Sequence, residues 1–156
     1  MNANALALAL GIGFVAGLRS LTAPAVVSWA AYLGWLNLAG SPLSFMGSWV
    51  AALIFTLLAL VEFVGDQLPT TPSRTTPVPL IARIVMGALC GACLCAAAGA
   101  SLAAGAALGG VGGVVGAFAG REARVRLVRG LKVKDAFVAI PEDLVTIGLA
   151  LLLVSA

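Results

Sequence analysis

The sequence contains no histidine and very few charged residues for its length. Only 10% of its 156 residues are Asp, Glu, Lys or Arg, whereas a soluble domain needs about a quarter. The hydrophobic fraction is 62% and the mean hydropathy is +1.12. A surface of this composition would aggregate in water, but lipid would solvate it. The composition therefore predicts an integral membrane protein.

The missing histidine excludes a Ser-His-Asp set, and the chain has no glycine-rich phosphate loop with a lysine. Cysteine is also scarce, and Cys90, Cys93 and Cys95 share one apolar stretch. A C-x-x-C pair can indicate redox chemistry or zinc. Here its neighbours are Ala, Gly and Leu, which favours small residues lining a close contact between helices. We therefore expect no cofactor.

No Lys or Arg precedes the first apolar run, so we interpret that run as a retained helix and not as a signal peptide. A membrane-spanning helix takes roughly 20 residues, and the chain has room for about six of them in a single domain, 1–156. No separate catalytic domain fits. We therefore do not expect an enzyme, although chemistry on lipid phosphates with a metal held by acidic residues is not excluded.

The first two apolar blocks, residues 3–18 and 25–36, are short for full spans and are separated by a break at Arg19. They could be two tilted helices with a tight turn, one long broken helix, or a re-entrant hairpin. Thr22 could cap the second helix, with Pro24 in its first turn. Residues 45–65 form a clear span. Residues 67–79 contain four prolines and predict an extended loop.

Residues 80–119 are almost uninterruptedly apolar and measure about 60 Å as a helix, which is twice the membrane thickness. The chain should therefore fold back once, near residues 99–101. The second arm carries glycines at three- and four-residue spacing, which predicts close helix packing and a homodimer through this face. These glycines are Gly105, Gly109, Gly112, Gly116 and Gly120, with Gly110 and Gly113 beside them. A charged loop at 121–134 and a last span at 136–156 complete the chain.

The basic residues occur at three places, namely Arg19, the loop with Arg74 and Arg83, and residues 121–134. All three lie on one side if the first two blocks both cross the membrane. This pattern predicts an all-α protein of about six (five to six) spans in a bacterial inner membrane, with its basic loops cytoplasmic. Six spans also allow a 3+3 inverted repeat, as in many secondary transporters. The basic loops would face anionic lipids and not nucleic acid.

Four of the six acids lie within or beside apolar spans, where an ionised group is costly and usually functional. Glu62 and Asp66 are four residues apart and share a helix face. Two carboxylates on one face repel unless a cation, a proton or an arginine lies between them. The pair is therefore either a cation- or proton-binding site or a helix end paired with Arg74 or Arg83. Whether a metal binds there is left open.

Glu142 and Asp143 follow Pro141, which is a typical composition for the first turn of a helix. A helix that began at Pro141 would be only about 24 Å long, too short for a core of about 30 Å. The alternatives are an earlier start with a kink at Pro141 or a half-helix that begins inside the membrane. In either case the two acids are candidates for cation or proton binding.

Arg19 is the single charge of the first half of the chain before Glu62. A helix break exposes backbone N–H groups, which together with an arginine can bind a phosphate or a carboxylate. Arg19 could instead anchor the helix at the membrane surface or be a counter-charge for Glu62 or Asp66. Arg74 and Arg83 are candidates for the same counter-charge role.

Three motifs occur in order along the chain: Ala16-Gly-Leu-Arg-Ser-Leu-Thr-Ala-Pro24, then Glu62-Phe-Val-Gly-Asp66 with Arg74 following, and Pro141-Glu-Asp143. In these motifs, over nearly its whole length, the chain resembles a family of small bacterial membrane proteins, domain of unknown function 4126. The resemblance implies an inner-membrane location and brings no biochemical activity with it.

The segment Glu62-Phe-Val-Gly-Asp66 is also similar to the Glu-x-Gly-Asp-Lys signature of a family of cation/proton exchangers built from inverted three-helix repeats. It departs from that signature by one extra residue before the glycine and by Gln67 in place of the basic residue. Pro141-Glu-Asp143 lacks the glycine altogether.

These observations lead to one functional hypothesis and one alternative. The hypothesis is a small secondary transporter or channel-like protein that binds a cation or protons at intramembrane carboxylates and acts on a small ion or small molecule. The alternative is a membrane scaffold that binds lipids or a partner without transport.

Overall fold

The computed structural model describes residues 3–68, 70 and 72–156. These residues form six α-helices and one short 3-10 helix, without any strand, as the composition predicted. The α-helices are α1 (Ala3–Leu18), α2 (Thr22–Tyr32), α3 (Trp49–Gly65), α4 (Pro77–Ala97), α5 (Leu102–Leu131) and α6 (Asp135–Ser155), and the 3-10 helix is Ser44–Gly47. Met1, Asn2, and Pro69 and Thr71 of the predicted proline-rich loop, lie outside the described residues.

The break between the first two helices is a tight turn at residues 19–21. Beyond it, α2 runs antiparallel to α3, since the Leu21 backbone lies against Glu62 and the Trp29 indole N–H donates to Thr56 at 2.9 Å. The structure thus has two helices here and not one long broken helix. The predicted Thr22 cap is wrong: Leu21 is the N-cap residue, and its own side chain makes no capping hydrogen bond. With 11 residues, α2 is about 16 Å long, well short of the membrane core.

Two loop boundaries differ from the sequence prediction. The proline-rich loop ends at Thr76, because Pro77 and Pro79 lie in the first turn of α4, where a helix needs no backbone N–H donor. The basic segment 121–134 is mostly helical and continues α5 to Leu131. Arg, Glu, Ala and Leu are strong helix formers, and nothing interrupts α5 before the left-handed Lys132. Its charge made this segment look like a loop.

The predicted fold-back is confirmed between α4 and α5, where Gly99 has a φ of +64° and the Ser101 side chain caps α5. Helix α6 begins at Asp135, so Pro141 lies inside it. The alternative of an earlier start is therefore correct, and the half-helix and the start at Pro141 are wrong.

The centre of the bundle is a tight three-helix packing of α1, α4 and α5, which we call the glycine-packed region. A Cβ atom on Gly109 of α5 would collide with the backbone of Gly87 in α4, and one on Gly13 of α1 would collide with Gly109. The predicted close packing is therefore real. The predicted homodimer through these glycines is wrong, because the glycines of α5 already contact α1 and α4 of the same chain. Association through another face stays a prediction.

Three helices, α4, α5 and α6, are long and apolar enough to cross a membrane, while α1 and α3 are apolar but shorter. Large apolar side chains point outward on several helices, including Val61, Leu144 and Leu152, each at least 67% exposed. This is the surface of a helical membrane protein. Neighbouring helices alternate in direction, as an inverted repeat requires, but the repeat itself stays a prediction.

Candidate functional site

All seven predicted site residues meet at one end of the bundle, where α1 and α3 end and α4 and α6 begin. We call this group the charge cluster. Its side chains are between 2% and 15% exposed. Its members are Arg19, Glu62, Asp66, Arg74, Arg83, Glu142 and Asp143. The acids therefore converge, but at the end of the helices that carries the basic residues and not at their midpoint.

Glu62 fills the break between α1 and α2. Its carboxylate accepts hydrogen bonds from the Ser20 backbone N–H at 2.9 Å, the Ser20 hydroxyl at 2.6 Å and the Leu21 N–H at 2.9 Å. The break does bind a carboxylate, as the sequence analysis proposed for a ligand. That carboxylate belongs to the chain itself, because α3 delivers Glu62 to the exposed N–H groups.

Arg19 is the most deeply buried charge of the cluster, with 2% of its residue surface exposed. Its guanidinium contacts Asp66 at 2.7 Å and forms a second ion pair with Asp143. It also lies 5.4 Å from the centre of the Phe63 ring, a cation–π distance. Arg19 is thus a counter-charge for two acids, and it does not face the headgroups as a surface anchor.

Asp143 is the least satisfied acid of the cluster. It is 4% exposed; its Oδ1 contacts Arg19 Nη2, whereas its Oδ2 has no hydrogen-bond partner among the described residues. Its ion-pair partner is Arg19, which it shares with Asp66. Buried carboxylates normally accept several hydrogen bonds, so Asp143 has unused capacity to bind a positive species.

Arg74 and Arg83 tie α6 and α3 to the rest of the bundle. Arg74 makes a bidentate ion pair with Glu142, in which Nη2 lies 2.9 Å from Oε2. Arg83 donates through Nε to the Gly17 carbonyl at 3.0 Å and lies 3.8 Å from Glu62. Both serve as counter-charges, although Glu62 pairs with Arg83 while Asp66 pairs with Arg19.

The sequence analysis missed two further members of this network. Arg124 of α5 pairs with Asp135 and lies 3.7 Å from Glu142. Both Arg124 and Asp135 were assigned to a solvated loop. The signal that could have placed Arg124 on a helix is the majority of good helix formers (Arg, Glu, Ala and Leu) in 121–131.

The charges of the cluster do not balance. Four carboxylates face three arginines, which leaves one negative charge in excess, and Arg124 and Asp135 add one charge of each sign. Within the described part of the chain, no group of three or more acids or cysteines could hold a metal ion. Arginines occupy the positions beside the carboxylates that a polyvalent metal would need.

Two pockets open at opposite ends of the bundle. A pocket of about 500 Å³, the polar pocket, reaches the cluster at Asp66 and Arg74 and is lined on its other side by α5. A pocket of about 740 Å³ at the far end lies among the start of α1, residues 34–37 and the ends of α4 and α6. The glycine-packed region and the apolar core, which includes Ile12 and Val27, close the space between them.

The fold and the site together define a class of protein. It is a helical membrane bundle with a mostly buried network of ion pairs at one end. The chain belongs to the family described as Domain of unknown function (DUF4126), whose sequence model matches residues 6–156. No curated protein and no solved structure matches the chain. The similarity of Glu62–Asp66 to cation/proton exchangers is not shown by these comparisons and stays a prediction.

Proposed function

We propose that the chain is a small secondary transporter in which the charge cluster binds one proton or one monovalent cation. The observation that carries the proposal is the excess negative charge of the cluster. An unpaired charge in a low-dielectric site costs several kcal/mol by order of magnitude, and one bound proton or monovalent ion removes it. No three acids of the described residues are grouped so that they could hold a metal ion, and this favours a proton or a monovalent cation over a divalent cation.

Asp143 is the binding residue in this proposal. Its Oδ2 has no hydrogen-bond partner in the described part of the chain, and its single arginine also serves Asp66. When Asp143 is neutralised, Arg19 loses one of its two partners and can pair with Asp66 alone. The contact between α6 and the turn at 19–21 is then weakened, which couples ion binding to a movement of α6.

Of the two pockets, one reaches this site in the described conformation. The polar pocket leads from the basic end to Asp66 at the edge of the cluster. The pocket at the far end stops at the apolar core. In the proposed mechanism the described conformation is open towards the basic end and closed towards the other. The transported species is a small ion or small molecule, and the protein has no catalytic role.

The distribution of charge supports a location and an orientation. All nine basic residues lie on the cluster or on the segment 121–134 that adjoins it. By the positive-inside rule this end faces the cytoplasm of a bacterial cell, with the helices in the inner membrane.

Ion movement across liposomes tests the proposal. The native protein is reconstituted with an internal pH-sensitive dye, and Na⁺ or K⁺ gradients are imposed. We expect the native protein to move protons, or Na⁺ or K⁺ followed with a dye for that cation, faster than the leak of empty liposomes, because the bound species crosses with a change of conformation. Asp143→Asn should abolish this movement. Glu122→Gln is the control, since Glu122 is an acid outside the charge cluster and the polar pocket, with a 61% exposed side chain.

Two results would contradict the proposal. One is an intact native protein that moves neither protons nor Na⁺ or K⁺ under any of these gradients. The other is an Asp143→Asn protein that is folded and as active as the native chain.

A membrane scaffold that binds lipids is the second candidate. The observation in its favour is the extension of α5 beyond the cluster, which carries four of the nine basic residues of the chain on a mostly exposed helix end.

A further inference from the structure

A second site lies on the other side of Arg124, between the end of α5 and the start of α6. This apolar groove has a volume of about 540 Å³ and is lined almost entirely by hydrocarbon. Leu127, Leu131, Phe137 and Val145 line it, and each of them is at least 48% exposed. Because these side chains are exposed, the groove opens laterally to the membrane. Its shape and lining match an acyl chain.

The polar pocket adjoins this groove, because Arg124 lines both. Four arginines and only two aspartates line the polar pocket, so it carries two positive charges in excess. Arg74 and Arg124 already pair with acids. Within the described part of the chain, Arg121 and Arg129 have neither an ion pair nor a hydrogen bond from their side chains. Two free guanidinium groups beside a groove match a phosphodiester.

We propose that this composite site binds an anionic phospholipid, with an acyl chain in the apolar groove and the phosphate in the polar pocket on Arg121 and Arg129. The occupant follows from the charge. The positive group of a zwitterionic lipid would lie beside the unpaired arginines and be repelled by them. A soluble phosphate would leave the groove empty. Basic pockets between membrane helices are known to take anionic headgroups. The site shares the polar pocket with the access route of the proposed transporter. It does not include Asp143, and its lipid binding can be measured without transport.

Lipid titration followed by native mass spectrometry tests the site. The full chain, delipidated in detergent, is titrated with dioleoyl phosphatidylglycerol, with dioleoyl phosphatidylcholine, which has the same chains, and with glycerol 3-phosphate. We expect a single phosphatidylglycerol to bind about tenfold or more tightly than phosphatidylcholine. Glycerol 3-phosphate should not compete, because it lacks the chain that fills the groove.

Paired variants separate the headgroup from the groove. Arg121→Gln with Arg129→Gln should weaken phosphatidylglycerol roughly 30-fold. The matched control is Arg126→Gln with Lys132→Gln, which removes the same charge from residues that line neither pocket, and it should change binding by less than about threefold. Val145→Trp fills the groove and should weaken the lipid, whereas Leu152→Trp, on the exposed surface of the same helix, should not.

Three outcomes would overturn the proposal. If both arginine pairs weaken binding equally, the attraction is diffuse surface charge. If glycerol 3-phosphate displaces the lipid, the pocket is an anion site without a groove. If phosphatidylcholine binds as tightly as phosphatidylglycerol, the arginines do not select the headgroup.

Discussion

The glycine-packed region and the charge cluster hold neighbouring helices together by opposite means. In the first, α1, α4 and α5 touch through backbone atoms, so no side chain can change its partner. In the second, α3 and α6 are joined to the others through ion pairs, and Arg19 serves two acids at once. In lipid no hydrophobic force drives helices together, so the bundle depends on close backbone packing and on ion pairs. The glycine-packed region can only come apart, whereas the side chains of the charge cluster can exchange partners.

The largest expected effect is the loss of the charge that holds two acids. Arg19→Met leaves Asp66 and Asp143 without a positive partner, and removing one member of a buried ion network costs about 3–5 kcal/mol. Unfolding in mixed detergent and SDS micelles, followed by tryptophan fluorescence, measures the change. Arg126→Met is the control and should leave stability nearly unchanged, because Arg126 is 77% exposed. Equal stability of the two variants would show that the cluster does not hold the helices.

A smaller loss is expected from one added methyl group in the glycine-packed region. Gly109→Ala places a Cβ atom against the Gly87 backbone, and overpacking of this kind costs about 1–3 kcal/mol. The same unfolding assay applies. Gly130→Ala on the same helix meets open space, so the gain in helix propensity should stabilise it by up to about 1 kcal/mol. A Gly109→Ala protein as stable as Gly130→Ala would refute the close packing of α4 on α5.

The smallest effect is expected from a substitution that weakens the charge cluster but leaves every ion pair in place. Ser20→Ala removes the hydroxyl that donates to Glu62 but keeps the backbone donors of Ser20 and Leu21. The expected loss is about 1 kcal/mol, again from unfolding in mixed micelles. Ser155→Ala, at an exposed helix end, should cost less. A Ser20→Ala protein that loses as much as Arg19→Met would mean that the hydroxyl, and not the ion pair, holds the turn.

The sequence predicted which seven charged residues to consider together, because membrane composition makes every charge near a span conspicuous, and the structure places them in one cluster. The partners were not predictable. That Glu62 caps the break while Asp66 pairs with Arg19 depends on the arrangement of α3 beside α1, which no local pattern specifies. The half-satisfied state of Asp143 likewise follows from sharing Arg19 with a residue 77 positions earlier in the chain.

Two errors have clear physical causes. The segment 121–134 was assigned to a loop because of its charge, although its helix propensity was high; this hid Arg124 and the groove beside it. The glycine stripe was assigned to a dimer, because small-residue spacing looks the same whether the facing helix belongs to the same chain or to a second copy. Local patterns identify the kind of contact and not its partner.

The carboxylate of Glu62 in the break between α1 and α2 has a consequence for biosynthesis. The ribosome makes Arg19 and the exposed N–H groups of Ser20 and Leu21 more than forty residues before Glu62. Until α3 is made, this turn has no acid to bind and must stay near water at the membrane surface. Asp143 reaches Arg19 later still, when synthesis is almost complete. The order of translation therefore sets the order in which the turn can leave the interface, with α6 completing the closure.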